Sequence, residues 1–206
     1  MKKTTLLACL LALACAASAL GGTKFSLGLG GQYWDAKDAD RLGEDGFGGA
    51  NLIARFRTHD HLGFDVRAGV SGIWDADSYR VNGTKYETDA VFMCCPLELG
   101  LVLMLPVNDW LTLYGGPGVG YYYYDIDVET TTRNGHHTRS TWSERIHLKD
   151  DFGWYAVGGA TFRLATHFSL FGEARYTDTE TKLRDADARK IDCSGFGVQV
   201  GCLFDF

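Results

Sequence analysis

The sequence predicts an all-β protein, an eight-stranded antiparallel up-and-down transmembrane β-barrel, on three observations. From Thr23 onward apolar and polar residues alternate with period two, the pattern of strands whose two faces meet different surroundings. The connections alternate between long and short, as in barrels with tight turns at one rim and longer loops at the other. Glycine and aromatic residues abound while proline is scarce, with 26 Gly, 12 Phe, 10 Tyr and 5 Trp against 3 Pro in 206 residues. That composition is neither collagen-like nor that of a disordered tract. Although 46% of residues are hydrophobic, no apolar run approaches the ~20 residues of a membrane helix.

The amino-terminal segment is set apart before the strands are read. Lys2 and Lys3 form a positive start, Leu6 to Ala17 a short apolar stretch, and Ala17 and Ala19 the small residues of a cleavage site. Residues 1–19 are therefore expected to be a secretory signal peptide, leaving the barrel domain at 20–206. A lipid-modified Cys15 is disfavoured, because Ala12 stands where a branched apolar residue is preferred. Loss of Lys2 and Lys3 takes the formal net charge from -6 to -8.

The strands then follow in order. The first sets Phe25, Leu27, Leu29 and Tyr33 against Ser26, Gly28, Gly30 and Gln32. The second, about Phe47 to Thr58, opposes Leu52, Ala54 and Phe56 to Asn51, Arg55 and Arg57, and the third opposes Phe64, Val66, Ala68 and Val70 to Asp65, Arg67 and Ser71. Leu97, Leu99, Leu101 and Leu103 define the fourth, with Glu98 and Gly100 behind them. In the fifth, Gly116, Gly118 and Gly120 alternate with Pro117, Val119 and Tyr121. The sixth places Trp154, Ala156, Ala160 and Phe162 opposite Tyr155, Thr161 and Arg163. Phe168, Leu170, Ala174 and Tyr176 oppose Ser169, Glu173 and Arg175 in the seventh. The eighth ends the chain, with Phe196, Val198, Val200, Cys202, Phe204 and Phe206 opposite Gly197, Gln199, Gly201 and Asp205. Short turns fall at 59–63, 106–110 and 165–167, and long polar loops at 35–46, 75–89, 125–151 and 177–192.

A soluble barrel turns its apolar face inward. Here the apolar face is continuous and aliphatic, whereas the other carries Arg55, Arg57, Arg67, Arg163 and Arg175 against Asp65, Glu98, Glu173 and Asp205. A nearly balanced set of charges can pair inside a narrow barrel, so the aliphatic face is expected to meet lipid and these nine residues to line the interior. Tyr33, Trp34, Phe47, Trp74, Tyr121 to Tyr124, Trp154 and Tyr176 fall at the loop ends of strands. Phe56, Phe64, Trp110, Phe162, Phe168, Phe204 and Phe206 fall at the turn ends. Two such bands read as the aromatic girdles of the bilayer interfaces.

The signal peptide, PLELGLVLMLP followed by DWLTLYGGPGVGYYYYD, HFSLFGEARYTDTE and the terminal FGVQVGCLFDF resemble the small outer-membrane β-barrel proteins of Gram-negative bacteria, OmpA- and OmpX-like. The resemblance covers essentially the whole mature chain. It implies an outer-membrane location among lipids and lipopolysaccharide. It also implies that Phe204 and Phe206 serve as the terminal signal read by the barrel-assembly machinery. No peptidoglycan-binding domain follows the eighth strand, so a wall-anchoring role is not expected.

Other motifs carry little. Gly116, Gly118 and Gly120 lack the Lys-Ser or Lys-Thr of a phosphate loop. Asp38, Asp40 and Glu44 do not match a calcium loop. Asn82-Gly83-Thr84 reads as a turn, and His136 and His137 as exposed imidazoles. The triplet His167-Phe168-Ser169, with Glu173 nearby, matches the pair used by one class of lipid A deacylase, but topology puts it at the turn rim, away from the outer leaflet. Cys94, Cys95, Cys193 and Cys202 have no zinc spacing. Strands four and eight lie on opposite sides of the ring, which predicts free thiols. No cofactor or metal is expected. The loops carry -3, -2, -2 and -1 in chain order, which does not suit nucleic acid. The expected function is non-enzymatic, a structural, envelope-integrity or surface-interaction role with an extracellular ligand meeting the four loops. The alternatives are a lipid A-modifying enzyme and a narrow solute pore.

Overall fold

The computed structural model describes residues 24–39, 46–81, 84–134, 138–182 and 190–206. The expected signal peptide with Ala17 and Ala19, and Asn82, Gly83, His136 and His137, lie outside the described residues. The strands are β1 (Lys24–Ala36), β2 (Phe47–His59), β3 (Leu62–Val81), β4 (Thr84–Pro106), β5 (Leu111–Asn134), β6 (Thr138–His147), β7 (Asp151–Ala165), β8 (Phe168–Asp178), β9 (Glu180–Thr181), β10 (Ile191–Asp192) and β11 (Gly195–Asp205). Eight of them, β1, β2, β3, β4, β5, β7, β8 and β11, pair antiparallel in that order. Strand β11 returns to β1 from Ser26↔Asp205 to Ala36↔Gly195 and closes the ring. Closure satisfies the backbone polar groups that an open sheet edge would leave bare in hydrocarbon.

The outer face settles which side meets lipid. Leu29, Leu99, Val119 and Val200 are exposed at 56%, 52%, 60% and 68%, with Leu27, Leu52, Val70, Leu101, Leu103 and Val198 between them. A contiguous apolar band of this kind has no place on a water-facing surface. In lipid each such side chain gains roughly 1.5–3 kcal/mol relative to water. At the turn rim Phe25 stacks near Phe56 (5.1 Å) and Phe206 (5.7 Å), Phe56 on Phe64 (4.8 Å), Trp110 on Phe162 (6.0 Å) and Phe168 near Phe204 (5.2 Å). At the loop rim Tyr176 sits between Trp154 (5.6 Å) and Phe196 (4.9 Å), and Tyr121 beside Phe152 (4.8 Å).

Two expectations need correction. Trp34, Phe47, Tyr122 and Tyr124, assigned from sequence to the outer girdle, are buried inside the barrel. Strand parity is the reason, since successive side chains point to opposite faces: Trp34 shares its face with Gln32, and Tyr122 and Tyr124 share theirs with Gly116, Gly118 and Gly120. Segments 75–89 and 125–151 are not irregular loops. Strands β3 and β4 stay in register out to Val81↔Thr84, and β6 pairs with β5 from Asp125↔His147 to Asn134↔Thr138. The threonine-rich run Thr130, Thr131 and Thr132 favours strand, and continuing a ladder already in register requires no new nucleus.

Candidate functional site

The lumen is stratified. Near the turn rim, Asp205 accepts hydrogen bonds from Arg57 Nη2 (2.8 Å), Ser26 and Ser169 (3.3 Å). Above it Arg55 grips Asp65 with two hydrogen bonds of 2.8 and 2.9 Å. Arg67 reaches Asp65 (2.9 Å) and both carboxylate oxygens of Glu173, one of them at 3.0 Å, and Tyr114 donates to Glu173 at 2.7 Å. A third unit joins Arg175 to Glu98 (2.6 and 3.2 Å), with Tyr122 donating to Glu98 at 2.9 Å. The buried guanidinium groups of Arg55, Arg67 and Arg175 thus face the buried carboxylates of Asp65, Glu98 and Glu173, one charge for one. Removing either side of such a pair strands the other, at a cost of about 3–5 kcal/mol.

Aromatic rings complete the charged layer. Arg55 lies 4.1 Å above the Tyr114 ring and Arg175 4.6 Å above that of Tyr155. Two glycines make room for Tyr155, because a Cβ on either Gly118 or Gly100 would fall 2.3 Å from its ring or hydroxyl. Beside this layer Asn51 bridges Gln32 (3.0 Å) and Gln199 (2.9 Å), tying β1, β2 and β11 together.

Toward the loop rim the lumen becomes apolar. Trp34, Phe47, Ile73, Phe92, Cys94, Tyr122, Tyr124, Leu148 and Cys193 pack into one buried cluster, and Trp34 stacks on Phe47 at 5.1 Å. A low lid covers it. Lys37 N donates to Ser194 O (2.9 Å), Lys149 N to Lys182 O (2.8 Å) and Cys193 N to Thr179 O (3.0 Å), and Asp192 N donates to Asp38 (2.8 Å). An exposed Lys37–Asp192 pair (3.3 Å) adds to these. Partial burial opposes ionisation of Asp192, but hydrogen bonds from Ser194 and the Lys37 charge outweigh it and hold this carboxyl below its usual range.

On the other side of the mouth the outer parts of β3, β4, β5 and β6 form a tall four-stranded sheet. Its edge strand β6 has no further neighbour among the described residues. The sheet presents Asp75, Asp77, Asp89, Glu129 and Glu144, and exposed Arg145 pairs with Asp127 at 2.6 and 3.0 Å. Exposed Trp142 stands on β6. At the opposite, turn rim, a cavity of about 460 Å³ is lined by Arg57, His61, Thr161, Arg163 and Asp205, among others. It ends against Arg55 of the charged layer.

The sequence profile of the outer membrane protein beta-barrel domain matches residues 5–204. The chain belongs to this family of outer-membrane β-barrels. The structure is similar to that of the outer membrane protein OprG from Pseudomonas aeruginosa, at 15% identity and TM-score 0.59, over 89% of this chain and 95% of that one. It is also similar to neisserial surface protein A, at 12% identity and TM-score 0.50, over 90% and 98%. A major outer membrane protein of Thermus thermophilus matches at 13% identity and TM-score 0.50, over 90% and 100%. No curated protein matches the chain in sequence. At these identities the likeness concerns the fold. Family membership places the chain in the outer membrane, where the short turns face the periplasm and the long loops the exterior.

Within this family frame, the structure brings together eight of the nine residues read as interior charges: six fully buried, with Arg57 and Asp205 half-buried beneath them. Arg163 is the one exposed member: it pairs in register with Ser169 and lines the turn-rim cavity with Arg57 and Asp205, where the lumen opens. His167 and Ser169 are both held by Asp205. His167 Nδ1 donates to the Asp205 carbonyl (2.9 Å) and Ser169 to the Asp205 carboxylate, while Glu173 is held by Arg67 and Tyr114. None of the four described cysteines is bridged in this structure. The features missed in the sequence are the amide bridge, Tyr114 and Tyr155, and the apolar plug. Parity alone would have found the plug.

Proposed function

We propose that this chain is a sealed, non-catalytic outer-membrane barrel that acts in surface interaction and envelope integrity through its external sheet. One observation carries the reading: the lumen is filled by a matched ion-pair layer beneath a buried apolar plug, while polar, net acidic surface is lifted above the bilayer on four strands. A filled lumen leaves no continuous water path, and the solvated surface stands where extracellular ligands and lipopolysaccharide phosphates, the latter through divalent cations, are met. Among the described residues the outer edge of β6 pairs with no further strand, and its backbone donors and acceptors are open to an extended partner. Phe204 and Phe206, on the outer face of the closing strand, serve as the signal for the barrel-assembly machinery. Residues 1–19 direct export and leave by cleavage after Ala19.

The test combines three measurements on the full-length protein and its deletion strain. Purified protein in planar bilayers is expected to show no unitary conductance, and lipid A from the deletion strain an unchanged mass spectrum. Shortening the β3–β4 and β5–β6 hairpins to the membrane rim is expected to preserve heat-modifiable gel mobility while abolishing surface binding to cells or matrix. Steady conductance would replace this reading with that of a narrow pore. An altered lipid A acylation pattern would replace it with an enzyme.

A further inference from the structure

The apolar plug contains two thiols that the strand order alone separates. Cys94 lies on β4, flanked in register by Ser71 of β3 and Tyr124 of β5, and Cys193 lies between β10 and β11, on the far side of the ring. The lid cancels that separation by folding the 190–194 segment inward. Cys193 N is held by the Thr179 carbonyl (3.0 Å), and the Thr179 hydroxyl shares a hydrogen bond with that of Tyr124 (3.1 Å). Both thiols come within hydrogen-bonding reach of the same Tyr124 hydroxyl. Both belong to one buried cluster, at 0% and 1% exposure. Cys95 and Cys202 point instead to the outer face, on opposite parts of the wall, and Cys202 lies against the Leu29 carbonyl.

We propose that Cys94 and Cys193 are a redox pair that closes as a disulfide during export and staples the lid to the barrel wall. An outer-membrane chain crosses an oxidising compartment before it folds. One thiolate attacks a sulfur of an oxidising protein disulfide and forms a mixed disulfide, and the second thiolate displaces the carrier. The new S–S bond forms between Cys94 and Cys193, the carrier's S–S bond is broken, and the carrier takes up the two protons and both electrons and leaves as a dithiol. Exchange has to precede closure of the barrel, because the plug then shields both sulfurs.

Protein extracted from outer membranes, with thiols blocked by a maleimide at lysis, tests this by non-reducing peptide mapping. The expected result is a single cross-linked peptide joining Cys94 to Cys193 in most molecules, and maleimide on Cys95 and Cys202. C94S and C193S should each abolish the cross-link. The C95S/C202S double variant, which leaves the plug untouched, should keep it and run faster on a denaturing gel without reductant than with it. Four labelled cysteines in the wild type and two in C95S/C202S, or a bridge involving Cys95 or Cys202, would overturn the proposal.

Discussion

The two layers of the lumen, charged below and apolar above, are built by the same strands and solve the same problem in opposite ways. Below, Arg55, Arg67 and Arg175 are tolerated in a dry interior only because each is matched in charge and geometry by Asp65, Glu173 and Glu98. Above, Trp34, Phe47, Ile73 and Phe92 need no partner and depend on volume alone. The difference lies in what a single substitution does. In the lower layer a truncation leaves a charge behind; in the upper layer it leaves a hole.

The sharpest way to break the contrast is Arg67→Ala, which strands Glu173 and weakens Asp65. It should cost about 3–5 kcal/mol, seen as a lower urea midpoint for the heat-modifiable folded band. The double variant Arg67→Met with Glu173→Leu should recover most of that loss, since replacing a whole buried pair by apolar groups is often close to neutral. A double variant no better than Arg67→Ala would show that the lower layer is not governed by charge matching. In the plug, Phe47→Ala should cost about 3–5 kcal/mol through the cavity it opens, whereas Ile73→Val should cost only about 0.5–1.5 kcal/mol, both by the same unfolding assay. Tyr114→Phe sharpens the comparison within the lower layer. It removes one of three donors to Glu173 and should cost roughly 1 kcal/mol, with no change in gel mobility at rest.

The smallest effect belongs to the lid. The Asp192 carboxyl is held below its usual range, so its contribution is present at neutral pH and fades as pH falls through its folded-state value. Following the Asp192 carboxyl carbon by NMR in micelles should give a midpoint below that of an exposed aspartate, and Lys37→Ala should raise it. A midpoint unmoved by Lys37→Ala would assign the shift to Ser194 alone.

Much of this was legible in the sequence because one rule, side-chain alternation, acts on every strand. It set lipid-facing Leu99, Leu101 and Leu103 against interior Glu98 and put Arg55, Asp65 and Arg67 on a common face. Where the rule was set aside the reading failed. Trp34, Phe47, Tyr122 and Tyr124 were grouped by residue type and rim position, yet their parity with Gln32, Asn51 and Gly118 turns them inward. Which charges meet was not legible, because Arg67 and Glu173 lie 106 positions apart and their meeting depends on barrel closure. The length of β5 and the existence of β6 were hidden by polar residues that serve equally in a loop or in a two-sided exposed strand.

The glutamine–asparagine bridge and the rim cluster around Asp205 bear on how the barrel forms. Asn51 and Gln199 are separated by 148 positions, as are Arg57 and Asp205, and Arg175 and Glu98 by 77. These ties join segments made far apart in time, whereas Arg55 and Asp65 are only 10 positions apart, so loop-closure entropy has to be met before the long-range ties can form. Half a barrel would hold unmatched arginines against lipid tails. Pairing of the first and last strands is therefore the step that completes these ties.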